Sequence, residues 1–161
     1  DIKSGKIGKV MGAETFSPAI IEKTHPDLFW YGIHGVELLF AIMGTGCKKV
    51  TRIHTKDTDV LVGVWEDGRL GSFRGTRNGN YNYGGKIAAS DFGGTVFGEK
   101  ANLTLGEFKG YDPLLEQIIE FFETGTAPVN PEETLEIIAF MEAADESKDK
   151  GGTQVVINVP N

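Results

Sequence analysis

The sequence predicts an α+β domain: a large, mainly antiparallel open sheet with helices packed on one face. Three observations carry this. Over residues 48–108, short runs rich in β-branched and aromatic residues alternate with Gly, Asp and Asn. One long apolar helical run precedes them, and two amphipathic helical patterns follow. The 161 residues suffice for one domain with a real core and are too few for two.

Residues 2–16 mix β-formers with glycines and predict one strand, followed by an irregular loop at 17–24. The stretch 26–46, PDLFWYGIHGVELLFAIMGTG, then predicts a single helix. Pro26 suits the first helical position, Asp27 suits the positive end of the helix dipole, and Gly44 and Gly46 supply the stop. Two ionisable residues, His34 and Glu37, sit in the middle of this apolar run. Helical spacing puts Glu37 on one side of His34 and the Trp30 ring on the other.

Six runs follow, VTRIHT, DVLVGVWE, RLGSFRGT, YNYGGKIAAS, GGTVFGEK and ANLTLGEF, and predict a β-meander. Asp67-Gly68 supplies the positive φ angles of a tight hairpin. Val60, Val62 and Val64 alternate with Leu61, Gly63 and Trp65, so both faces of that strand are apolar, as in a central strand. Next comes a helix from Asp112-Pro113 to Gly125, with Leu115, Ile118, Ile119 and Phe122 on one buried face. A second helix starts at the cap Asn130-Pro131-Glu132-Glu133 and buries Ile137, Ile138, Met141 and Ala144. QVVINV returns as an edge strand. Val60, Val62 and Phe73, placed on the face the helices leave open, predict a homo-oligomer through that face.

Composition narrows the function. With 16 basic against 23 acidic residues, the net charge is −7, which argues against a nucleic-acid partner. The single cysteine, Cys47, forms no internal disulfide and reads as a small buried hydrophobe. No stretch resembles a signal peptide, and the apolar helix is too short and too charged to span a membrane, so the chain reads as soluble. Asp1 is not a start methionine, so the natural N-terminus and any targeting signal are expected upstream.

Glycine makes up 22 of the 161 residues, about twice the usual ~7% share. Yet neither Gly5-Lys6-Ile7-Gly8 nor Gly44-Thr45-Gly46-Cys47 has the GxGxxG spacing after a strand, and no P-loop pattern occurs, so no dinucleotide site is expected in this chain. Ser17, Ser72 and Ser90 lack activating neighbours. His25, His34 and His54 are too scattered to signal a metal site. His34 itself has two readings: a core imidazole satisfied by Glu37 or a carbonyl, or a proton-transfer group whose tautomer the carboxylate holds. Arg74, Arg77, Tyr81 and Tyr83 suit a carbohydrate pocket equally well as an exposed strand face.

The block LFWYGIHGVELLFAIMGTGCKKV, then DVLVGVWEDGRLGSFRG, then YDPLLEQIIEFFETGTAPVNPEETLEIIAFMEAADESKDKGGTQVVI, resembles the C-terminal domain of the Gfo/Idh/MocA oxidoreductase family. The resemblance extends over residues 26–157. It implies the dihydrodipicolinate reductase-like sheet of that family, and residues 1–161 as one C-terminal substrate and oligomerisation domain, with the N-terminal Rossmann domain absent from the chain. It implies an NAD(P)-dependent oxidoreductase acting on a sugar, polyol or related hydroxy compound, with NAD or NADP bound in the complete protein, none bound by this fragment, and the fragment alone inactive. The family's catalytic histidine falls on His34, with Trp30, Tyr31 and Glu37 beside the substrate. The family's other acid/base, the Lys of its EKP motif, belongs to the absent domain. The family aspartate four residues before the histidine falls on Trp30. That departure keeps NAD-dependent glycoside cleavage as one alternative, and a non-catalytic oligomerisation or carbohydrate-binding module as another.

Overall fold

A computed structural model describes residues 2, 4–77, 92–105 and 110–160. Seven strands form one sheet in the order β6-β5-β1-β4-β3-β2-β7. They are β1 (Val10–Pro18), β2 (Cys47–His54), β3 (Thr58–Trp65), β4 (Leu70–Thr76), β5 (Gly93–Gly98), β6 (Asn102–Thr104) and β7 (Val155–Val156). The helices are α1 (Gly32–Met43), α2 (Asp112–Thr124) and α3 (Pro131–Asp149), with a 3-10 turn at Asp27–Phe29 ahead of α1.

β2, β3 and β4 form the expected meander, but β5 does not continue it. β1 enters between β4 and β5, parallel to β4 from Gly12 opposite Leu70 to Pro18 opposite Thr76, and antiparallel to β5. Residue alternation encodes which face of a strand is buried and carries nothing about its neighbour, so this insertion was not legible. All other pairings are antiparallel. β1 and β2 run in the same direction, and α1 makes the crossover that parallel strands require. β7 pairs with the outer edge of β2, as an edge strand should.

α1 and α3 cover one face. α1 lies on β1 and β4, and α3 lies on β2. Phe40 of α1, Phe140 of α3 and Trp65 of β3 meet at ring distances of 5.5 and 5.4 Å. The Trp65 indole donates to Gly44 O at 2.9 Å, so its polar edge is satisfied inside the core. α1 sits close to the sheet because Gly35 faces it: a Cβ there would lie 2.2 Å from the Phe73 ring. Phe73 is therefore on the helix side of β4 and fully buried, a correction to its expected place on the open face. The open face keeps Val60 and Val62, which are half-buried, together with exposed Leu70, Met11 and Phe16.

Three local expectations change. The hairpin loop after Trp65 has only Gly68 at positive φ, and Asp67 stays in the ordinary region, because three loop residues replace the two of the tightest turn. The helix expected from residue 26 is interrupted: Trp30 has φ −99 and ψ −86, and α1 begins at Gly32. α2 forms within the expected limits, yet none of its residues is buried, and Phe122 is 81% exposed. Amphipathic spacing fixes a helix and its apolar side, but it cannot guarantee a partner within the chain. In α3, Asn130 caps the start by accepting from Glu132 N–H at 3.0 Å.

Candidate functional site

The interruption at Trp30 places His34 in the first turn of α1, at its exposed end. His34 Nδ1 lies 3.2 Å from Glu37 Oε2, and both side chains are about half exposed, at 53% and 51%. The reading of His34 as a core histidine is thereby excluded. A carboxylate only accepts, so Nδ1 carries the proton toward Glu37, and Nε2 is left with its lone pair. The Glu37 hydrogen bond raises His34 above the ordinary histidine value, against the opposing effect of partial burial. Protonated His34 thus contributes to the fold below about pH 6.5, and that contribution is lost as pH rises through the raised folded value.

The aromatic wall differs from the expected one. Tyr31 meets the His34 ring edge-on at 5.8 Å, and Phe92 stands at 6.1 Å on another side. Trp30 instead packs on His25 at 4.6 Å, with Tyr31 at its edge. An intact helix would have set Trp30 four residues before His34 on the same face. The break takes Trp30 off that face and leaves Tyr31 on it. Neither His25 nor Phe92 is expected at this site from the sequence, since both sit outside regular helical spacing from His34.

Of the other expected site residues, Arg74 is exposed on the open sheet face, the opposite side from α1. Arg77 is buried with its donors engaged: Nε to Asp59 at 2.6 Å, Nη1 to Ala19 O at 2.6 Å and Nη2 to Asp27. Neither joins His34. Tyr81 and Tyr83 lie outside the described residues.

Arg77 belongs to a charge network beneath the site. Arg52 is fully buried, donating Nε to Asp59 at 2.8 Å, Nη2 to Asp27 at 2.9 Å and Nη1 to Asp145. Lys148 reaches Asp27 at 2.6 Å, and His54 Nδ1 reaches Asp59 at 2.8 Å. Three aspartates thus face Arg52, Arg77 and Lys148, a balance that burial demands. Burial alone would raise Asp27, but Lys148, Arg52 and Arg77 outweigh it and hold the carboxyl well below the usual range. Asp59 is lowered in the same way by Arg52, Arg77 and His54. The alternation of Arg52 with Val50 hints at an inward arginine, but its partners Asp27, Asp59 and Asp145 come from three separated segments, which one sequence cannot join.

Cys47 is buried, and burial pushes its thiol up to about 12, so it is not a nucleophile. Among the described residues, no group of three or more His, Cys, Asp or Glu is arranged for a metal, and no helix is long and apolar enough to cross a membrane.

Solved structures share this fold, among them three dehydrogenases. A putative myo-inositol dehydrogenase from Sinorhizobium meliloti 1021 matches 98% of the chain at TM-score 0.74 and 17% identity. A myo-inositol dehydrogenase from Lactobacillus casei, in complex with NAD(H) and myo-inositol, matches 99% at TM-score 0.70 and 14% identity. The fold is that of these dehydrogenases over the part the chain spans. The WlbA dehydrogenase from Bordetella pertussis, in complex with NADH and UDP-GlcNAcA, matches 99% at TM-score 0.66 and 18% identity. The chain spans 57 to 60% of the length of these three structures. No protein-family model and no curated protein matches it.

Replacing the Glu37 carboxylate tests the electrostatics of the pair directly. In Glu37→Gln the NMR titration midpoint of His34 should fall toward the ordinary ~6.5, because the cause of its elevation is gone. An unchanged midpoint would mean that Glu37 does not hold the imidazole.

Proposed function

We propose that the chain is the substrate domain of an NAD(P)-dependent oxidoreductase acting on a sugar, polyol or related hydroxy compound, with His34 as its general acid/base. The observation that carries this is the His34–Glu37 pair, exposed at the head of α1, on a dehydrogenase fold. In alcohol oxidation the hydroxyl proton must leave as the carbon gives up its hydride. Nε2 of His34, with Nδ1–H committed to Glu37, is the lone pair that takes that proton. In the reverse direction the imidazolium returns it to the carbonyl oxygen. Tyr31 and Phe92 flank the imidazole with aromatic surface suited to the C–H faces of a sugar-like ring.

The described residues do not fit a dinucleotide. The connection from β1 to the turn before α1, residues 19–26, contains no glycine, whereas a pyrophosphate cradle needs a Gly-rich strand-to-helix joint. This supports a hydride acceptor held by another part of the complete protein. Millimolar NAD or NADP should leave the melting temperature of this chain unchanged, since a ligand that does not bind the folded state cannot stabilise it; a clear rise contradicts the assignment.

The full-length protein incubated with NAD or NADP and a panel of sugars and polyols tests the function. Accumulation of reduced cofactor with an oxidised product is the expected result. Release of an aglycone without net reduced cofactor would replace oxidation with glycoside cleavage, and sugar binding without turnover would leave a binding module. The open sheet face is the proposed contact between copies of the chain. Val62→Lys there should shift the full-length protein to a smaller species in light scattering, and an unchanged mass would remove the sheet from the interface.

A further inference from the structure

The stretch Asp27–Tyr31 contains no glycine or proline, and its apolar spacing continues that of α1, so local preference favours one unbroken helix. The structure nonetheless interrupts it at Trp30. Leu28 is fully buried and gives the preceding turn an apolar hold, but apolar contact alone is not directional. Direction comes from Asp27. Its Oδ2 receives Arg52 Nη2 at 2.9 Å and Lys148 Nζ at 2.6 Å, and its Oδ1 receives Arg77 Nη2. These charge-assisted bonds come from β2, α3 and the residue after β4, and so fix the turn to three separate elements.

We infer that Asp27 is a positioning residue: by clamping the 3-10 turn to Arg52, Arg77 and Lys148 it keeps the helix broken at Trp30, and thereby holds Trp30 on His25 and leaves Tyr31 without it against His34. The consequence is visible in the rings. Tyr31 packs edge-on to His34 at 89°, while Trp30 is turned away onto His25. Freed of the clamp, the turn joins α1, and helical spacing brings the Trp30 ring off His25 and onto the His34 face beside Tyr31. Glu37 follows His34 within α1 and keeps its place in either state. The clamp therefore controls the wall of the site without touching the proton relay.

The effect on turnover rests on the function proposed above, whereas the effect on the ring environment does not. The test follows the His34 imidazole resonances by NMR in the full-length protein, comparing Asp27→Asn and the double variant Asp27→Asn, Lys148→Met with the parent. The double variant removes one charge of each sign and restores the balance of the network. In both variants the His34 ring resonance should shift as its aromatic surroundings change, while its titration midpoint stays where Glu37 sets it. The double variant should regain melting temperature relative to Asp27→Asn without regaining the parent resonance. In turnover, kcat should fall about ten- to a hundredfold, with KM changing less, as expected for a displaced reacting geometry. Parent-like His34 resonances in a folded variant, or their return together with stability in the double variant, would make the clamp purely structural. If Asp27→Asn alone does not fold, the charge-balanced double variant makes the same comparison. If His34→Ala retains normal turnover, the acid/base reading fails, and the resonance comparison still decides the clamp.

Discussion

Turnover of the full-length protein should fall by about 10² to 10⁴ in His34→Ala, the range lost with a positioned general acid or base. The fold should hardly notice. His34 is half exposed, and among the described residues its side chain meets Glu37 and two edge-on rings. Surface substitutions of this kind stay within about 0.5 kcal/mol. A large loss of kcat at unchanged melting temperature is thus the signature of chemistry, because a packing defect would move both. Substrate binding should survive, since Tyr31 and Phe92 remain in place. Near-normal turnover would return His34 to an ordinary surface residue.

The largest stability effect is expected at Asp59. Its carboxylate is fully buried and accepts from Arg52 Nε, Arg77 Nε and His54 Nδ1. Asp59→Ala leaves two guanidinium groups, 0% and 4% exposed, short of their shared anion. Removing one partner of a buried ion pair costs about 3–5 kcal/mol, a large share of a typical domain's total stability. The urea midpoint of Asp59→Ala should drop accordingly with little change in slope; a loss below about 1 kcal/mol would match only an exposed pair. The pH dependence has a definite sign. Asp27 and Asp59 both titrate below their unfolded values, so their contribution is fully present above about pH 4 and is lost as pH falls through the folded values. Asp145 runs the other way. Burial raises it and Arg52 offsets this only in part, so it works against the fold at neutral pH and that cost disappears on acidification.

Local chemistry was legible in the sequence wherever one segment determines the outcome. The cap at Asn130, the stop at Gly44, the edge strand at Val155–Val156 and the neighbourhood of His34 and Glu37 all follow from spacing a few residues long. Tertiary decisions were not. The place of β1 beside β4, the break at Trp30 and the network around Arg52 depend on residues tens of positions apart. Glu136 shows the same limit: it reads as an ordinary helical carboxylate, yet it accepts from Gly46 N–H and Cys47 N–H and ties α3 to the turn after α1. α2 marks the converse case, a helix whose apolar side is evident in sequence and meets no core among the described residues.

The proposed function requires His34 to act as the base that Glu37 tunes, and one measurement joins the two: the pH dependence of kcat/KM for alcohol oxidation, in the parent and in Glu37→Gln, set beside the His34 titration midpoint from NMR. The neutral imidazole is the active form, so activity rises with pH through the His34 value. Since Glu37 raises that value, Glu37→Gln should move the acid limb to lower pH by the same amount as the NMR midpoint. An acid limb that stays in place while the His34 midpoint moves would contradict the account.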